Sequence, residues 1–126
     1  NPTPKPLRVL VLSSPSTFRS GFNVLTGLRA MGAEIVGTPS AQPGNNFGDV
    51  LQFDLENTGI GVFVSYKQIM AFPDDPEIGG YLRPDHPLTI PEFRRFTFDP
   101  NAEILMALEI LGEDLPVAAG AEVIQN

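Results

Sequence analysis

The stretch from Arg8 to Gly37, RVLVLSSPSTFRSGFNVLTGLRAMGAEIVG, limits the possible folds more than any other part of the chain. Arg8 to Leu12 is a near-continuous apolar run, the pattern of a central strand buried on both faces. Ser13-Ser14-Pro15-Ser16-Thr17 breaks it, because Pro15 has no backbone donor and short hydroxyl side chains compete for backbone groups. From about Arg19 to Met31, Phe22, Leu25, Leu28 and Met31 recur every third position, joined by Val24, while Asn23, Thr26 and Arg29 take the other side. This spacing predicts an amphipathic helix, stopped by Gly32 in the favoured C-terminal position. Ile35 and Val36 then open a short strand. Strand, helix and strand in that order imply a parallel pair joined by a right-handed crossover.

Further along, Gly37 to Gly48 reads as a loop dense in Pro, Gly, Asn and Ser. Asp49 to Leu55 alternates apolar and polar residues, Glu56 to Gly59 is a turn, and Ile60 to Tyr66 is a second strand. These two form an expected antiparallel hairpin. Met70 to Pro91 is proline-rich and reads as irregular. Asp99 is a good N-cap with Pro100 at the first helical position, Ile104, Leu105, Leu108 and Leu111 supply a buried stripe, and Gly112 ends the helix. The expected organisation is a linker at 1–6, an α/β core domain at 7–112 and a weakly patterned tail at 113–126. The linker Asn1-Pro2-Thr3-Pro4-Lys5-Pro6 favours extended chain, and with no initiator Met it suggests part of a longer polypeptide.

Composition narrows the function classes. The 126 residues suffice for one domain with a modest core, and 42% hydrophobic against 18% charged residues is a globular balance. Eight basic residues in a chain of net charge −7 give no basic stripe for a phosphate backbone, so nucleic acid is not an expected partner. No apolar run approaches the roughly 20 residues that span a bilayer. Zero cysteines exclude disulfides, thiolate catalysis and cysteine-ligated metal. Asp74, Asp75 and Glu77 lack the ligand spacing and turn glycine of a calcium loop and read as a solvated acidic segment, so neither metal nor cofactor is expected.

The serine-rich turn is the candidate chemical site. A serine at a strand-to-helix turn sits where free N–H groups favour developing negative charge. Ser20 is the candidate nucleophile and the Gly21 N–H a candidate oxyanion donor. A hydroxyl nucleophile needs a base in hydrogen-bond reach. The lysines, Lys5 and Lys67, fall in the linker and just past a strand, and the single histidine, His86, lies in a Pro/Asp-rich loop. Each has an ordinary structural role as the simpler expectation: Lys67 a solvated edge charge, His86 a polar loop residue, and Ser13, Ser14, Ser16 and Thr17 helix-capping hydroxyls. Gly44, Asn45 and Asn46 are expected to shape a loop beside the site and contact a peptide.

The order of the SSPSTFRSGFN turn, the VGTPSAQPGNNFGD loop, FDLENTGIGVFVSYK, YLRPDHPLT and FDPNAEILMALEIL resembles one half, the C-terminal part, of the catalytic core of the tail-specific, or C-terminal processing, serine peptidases. That family includes tricorn-type and interphotoreceptor retinoid-binding proteins, and the resemblance covers residues 7–112. It implies an α/β core of the crotonase and caseinolytic-protease type and a location outside the cytoplasm. It also implies that the nucleophile position, two residues beyond Thr17, falls on Arg19, with Ser20 next to it and Phe22 where an acidic residue is common. The loop after Val36-Gly37 lacks the lysine base of one branch, so the match is nearer the branch whose base comes from the other half of the core. Pro84-Asp85 matches a structural turn of the family.

Two functions follow as expectations. One is a serine peptidase core, with Ser20 attacking a peptide carbonyl, Gly21 N–H holding the oxyanion and a base supplied from outside the chain. The alternative is a catalytically silent relative, with Arg19 at the nucleophile position holding a carboxylate of a bound peptide or apolar ligand through its guanidinium fork. The expected partners are a peptide or protein substrate and either the missing N-terminal half of the core or another copy of the chain, since a half-core leaves apolar strand edges open.

Overall fold

The computed structural model describes residues 7–115 and is a small mixed α/β structure. The expected linker at 1–6 and the end of the expected tail, 116–126, lie outside the described residues. Strand β1 (Leu10–Ser13) leads into helix α1 (Ser20–Ala30), which returns the chain to β2 (Glu34–Gly37). β1 and β2 pair in parallel from Leu10 opposite Glu34 to Ser13 opposite Gly37. The two-residue β5 (His86–Pro87) adds in parallel on the other side of β2, giving the order β1-β2-β5.

That order corrects one expectation. The central strand is the short β2, whose Ile35 and Val36 point to opposite faces and are both fully buried. Among the described residues β1 is an edge, and its Leu12 is 43% exposed despite the apolar run. A short apolar run carries no information about which neighbour it gains, so the longer run was the more visible and not the more buried one. The core joins Phe22 and Leu25 of α1 to Ile35 and Leu82, with Val11 and Phe72 against them. Leu28 is half-buried, whereas Val24 and Met31 of the expected stripe are exposed, because α1 meets a sheet that is three strands wide among the described residues. Met31 caps the helix and Gly32 follows at φ 95°, a conformation that glycine adopts without strain.

The hairpin is present and longer than expected. β3 (Asn45–Asp54) pairs antiparallel with β4 (Gly61–Met70), from Asn45 opposite Met70 to Asp54 opposite Gly61. The residues Asn45 to Gly48, expected as loop, therefore belong to a strand; their polar and glycine content hides it from any alternation test. The Leu55 carbonyl closes the tip by accepting from the N–H groups of Thr58 and Gly59.

Two helical expectations also change. The one-turn helix α2 (Pro76–Gly79) lies in the segment expected to be irregular, and α3 (Ile90–Arg95) begins inside that segment. Thr89 caps α3 by accepting from the Glu92 N–H, Pro91 sits in its first turn, and Arg94 and Arg95 occupy the last turn, where the helix dipole favours cations. α4 (Ala102–Leu111) starts two residues later than expected: Asn101 is the N-cap, and Asp99 instead accepts from the Asn101 N–H at 2.7 Å. Its buried residues are Ala102 and Ala107, with Leu105 and Leu108 half-buried and Ile104 and Leu111 exposed. Small residues let α4 approach β1 and β2 closely. Gly112 ends α4 in the left-handed conformation, at φ 75°.

Gly37 is the tightest point of the sheet. It has φ 123°, and a Cβ there would fall on the Ser13 carbonyl oxygen. Gly37→Ala should cost ~2 kcal/mol or more in urea unfolding, through backbone strain plus the clash. Gly32→Ala, with nothing within 4 Å of its Cβ, should cost less. Equal midpoints for the two variants would contradict this account.

Candidate functional site

Between the N-terminal end of α1 and the base of the hairpin lies a cleft of about 310 Å³. Its upper wall is the turn that leaves β1. Thr17 Oγ1 accepts from the Ser14 N–H at 3.0 Å and Ser14 Oγ accepts from the Ser16 N–H at 3.2 Å, so these hydroxyls fold the turn rather than cap α1. Ser13 is buried at the end of β1, its hydroxyl without a partner among the described residues. The Thr17 carbonyl accepts from Ala41 N–H at 3.1 Å, which ties the turn to the loop after β2.

Arg19 is the conformational centre of the turn. It stands at the N-cap of α1 with φ 48° and ψ −114°, a strained backbone for a residue with a Cβ. The Arg19 N–H donates to Gln42 Oε1 at 2.7 Å, which helps hold that conformation. The same kind of sharp strand-to-helix elbow lifts a side chain clear of the backbone in hydrolase nucleophile turns. Here that side chain is a guanidinium, lying 5.3 Å from the Phe18 ring centroid and forming no ion pair among the described residues.

Ser20 is the first helical residue, lines the cleft and is exposed; its hydroxyl has no hydrogen-bond partner among the described residues. The Gly21 N–H, expected as an oxyanion donor, donates to the Phe18 carbonyl at 3.0 Å. Among the described residues no lysine or histidine lines the cleft. Lys67 pairs with Asp49 at 3.1 Å on the exposed hairpin. Asp49 itself lines the cleft, and Lys67 partly neutralises it.

Of the loop residues, Gly44 and Asn46 line the cleft and Asn45 does not. Asn45 is a clamp: its Nδ2 donates to the Phe72 carbonyl at 2.8 Å and its Oδ1 accepts from the Phe72 N–H at 2.9 Å. Gly79 lies so close that any Cβ would strike the Asn45 amide. The clamp fixes where β3 begins and where β4 ends, and so fixes the cleft floor. The remaining walls include residues that the sequence does not single out as site residues: Gln42, Asn23, Phe47 and Phe72. Nothing in the sequence marks these four as cleft residues. Among the described residues no group of three His, Cys, Asp or Glu side chains comes together as a metal site, and no helix is long and apolar enough to cross a membrane.

His86 belongs to a different place. Its Nε2 is 2.6 Å from Glu34 Oε2, while Arg8 forks onto the same carboxylate at 2.7 and 3.0 Å. The neighbouring Asp85 accepts from the Ile35 N–H at 2.8 Å, which anchors this segment beside β2. The Arg8 hydrogen bonds, seconded by His86, hold the Glu34 carboxyl down at about 2.

With these geometries in hand, comparison with known proteins adds no relative: no family model, curated protein or solved structure matches the chain.

The Glu34 cluster makes a pH prediction. A carboxyl lowered on folding from 4.5 to about 2 contributes stability that is complete above its unfolded value and is lost as pH falls through that interval. Wild-type stability should therefore decline between pH 4.5 and 2 more steeply than that of Glu34→Gln, measured by urea unfolding at each pH. Parallel profiles would show that the cluster is not formed.

Proposed function

We propose that this chain is a peptidase-like α/β domain that binds a ligand at its elbow cleft instead of cleaving one. The observation that carries the proposal is Arg19, strained at the elbow with its guanidinium unpaired among the described residues. A residue with a Cβ persists in such backbone only where the surroundings impose it. The resemblance to the tail-specific peptidases supports the same proposal, because it assigns the nucleophile position to Arg19; it also supports a crotonase-like core and a location outside the cytoplasm.

The cleft's chemistry suits a carboxylate on an apolar stem. Arg19 supplies a planar fork for a carboxylate, Asn23, Gln42 and Asn46 supply amides for a peptide backbone, and Phe22, Phe47 and Phe72 supply apolar walls. A peptide ending in an apolar residue meets all three demands.

A second function, peptide hydrolysis with Ser20 as nucleophile, is favoured by the unpartnered Ser20 hydroxyl at the cleft wall. It would need a base from another polypeptide and a rearranged Gly21 N–H. A fluorophosphonate probe separates the two. Binding without catalysis predicts no adduct on Ser20, together with ligand affinity that falls ~10-fold or more in Arg19→Ala, as expected for loss of a charge-assisted fork. An adduct that disappears in Ser20→Ala, with peptide turnover, would overturn the binding proposal in favour of the peptidase.

A further inference from the structure

Beyond residue 50 the hairpin stands away from the rest of the fold, and its side chains separate by face. The register sets Leu51 opposite Val64, Phe53 opposite Val62 and, at the tip, Leu55 opposite Ile60, all on one side. The other side carries Val50, Gln52 and Asp54 against Ser65, Phe63 and Gly61. One face is thus wholly apolar, and five of its six side chains are exposed, with only Val62 partly covered. A two-stranded hairpin left alone in water is at best marginally stable.

We infer that this face is an interface between two copies of the chain. With about half of five of them and less of Val62 exposed, the six side chains offer ~500 Å² per copy, so complete face-to-face packing buries up to ~1,000 Å², the size at which specific interfaces begin. Shape supports self-association. β3 presents the bulky Leu51, Phe53 and Leu55, and β4 presents the β-branched Ile60, Val62 and Val64. A two-fold axis between the faces and parallel to the strands sets each bulky column on the partner's β-branched column, a self-complementary arrangement. Charge supports it too. The chain carries net charge −7, yet this face holds no ionisable group: Asp54 points to the opposite side, and Lys67 and Asp49 pair with each other nearer the base. Two copies therefore bring no ionisable side chain of these six into the interface.

The test is the mass of the chain in solution, by light scattering on a sizing column at micromolar concentration. The expected result is a dimer of twice 13.6 kDa, converted to monomer by Phe53→Glu and by Leu51→Lys. Phe63→Glu, on the opposite face, should leave the dimer intact, and unchanged far-ultraviolet circular dichroism of each variant should show that the fold survives. A monomeric wild-type chain would overturn the inference and leave the face to a different partner. So would a dimer that persists in both Phe53→Glu and Leu51→Lys, or that is lost equally in Phe63→Glu.

Discussion

The close approach of β1 and β2 at Gly37 is the constraint on which the rest of the structure depends. Three strands converge there. The Ser13 carbonyl accepts from the Thr38 N–H at 3.0 Å, and the Gly37 carbonyl accepts from Leu88 N–H at 2.7 Å, immediately after β5. Only a residue without a Cβ lets the Ser13 carbonyl come so near. Because β1 ends at this point, the chain must turn at once. Because β2 ends beside it, the loop carrying Ala41 and Gln42 lies within reach of that turn. The elbow at Arg19 is thus held from the loop that the sheet places next to it, through Gln42 on the Arg19 N–H and Ala41 on the Thr17 carbonyl.

That support explains how a costly backbone conformation survives. A non-glycine residue in this region costs on the order of 1–3 kcal/mol. One side-chain acceptor on the Arg19 N–H returns about 1 kcal/mol, so the remainder rests on the core contacts of α1 through Phe22 and Leu25. The elbow and the core are therefore coupled, since loosening α1 would let Arg19 relax. The Asn45 clamp plays the matching part on the opposite wall by fixing the hairpin base to Phe72. A cleft held rigidly from both sides lowers the entropy lost on binding.

Much of this was legible in the sequence, and the reasons differ element by element. The β1-α1-β2 unit follows from the apolar run, the three-residue spacing and Gly32, and the distal hairpin follows from period-two alternation around a glycine turn. The position of β1 at the edge was not legible, because an edge strand and a central strand share the same composition here. Asn45 to Gly48 gave no strand signal, since those residues pair through backbone and clamp through amide groups. α3 did leave a signal in Thr89, Pro91 and Glu92, a capping pattern masked by the surrounding prolines. For the site, the turn and its arginine were visible from sequence alone. The strain at Arg19, the engagement of Gly21 with Phe18 and the pairing of His86 with Glu34 are products of tertiary geometry.

The central claim, that Arg19 anchors a carboxylate at the elbow cleft, is tested most directly by nuclear magnetic resonance titration of the isotope-labelled chain. Two peptides ending in the same apolar residue would be compared, one with a free C-terminal carboxylate and one amidated. The account predicts saturable shifts confined to Phe18 through Asn23 and Gln42 through Asp49 for the acid, and at least ~10-fold weaker binding for the amide, the loss of a charge-assisted fork. Equal affinities for the two peptides, or shifts centred away from this cleft, would contradict it.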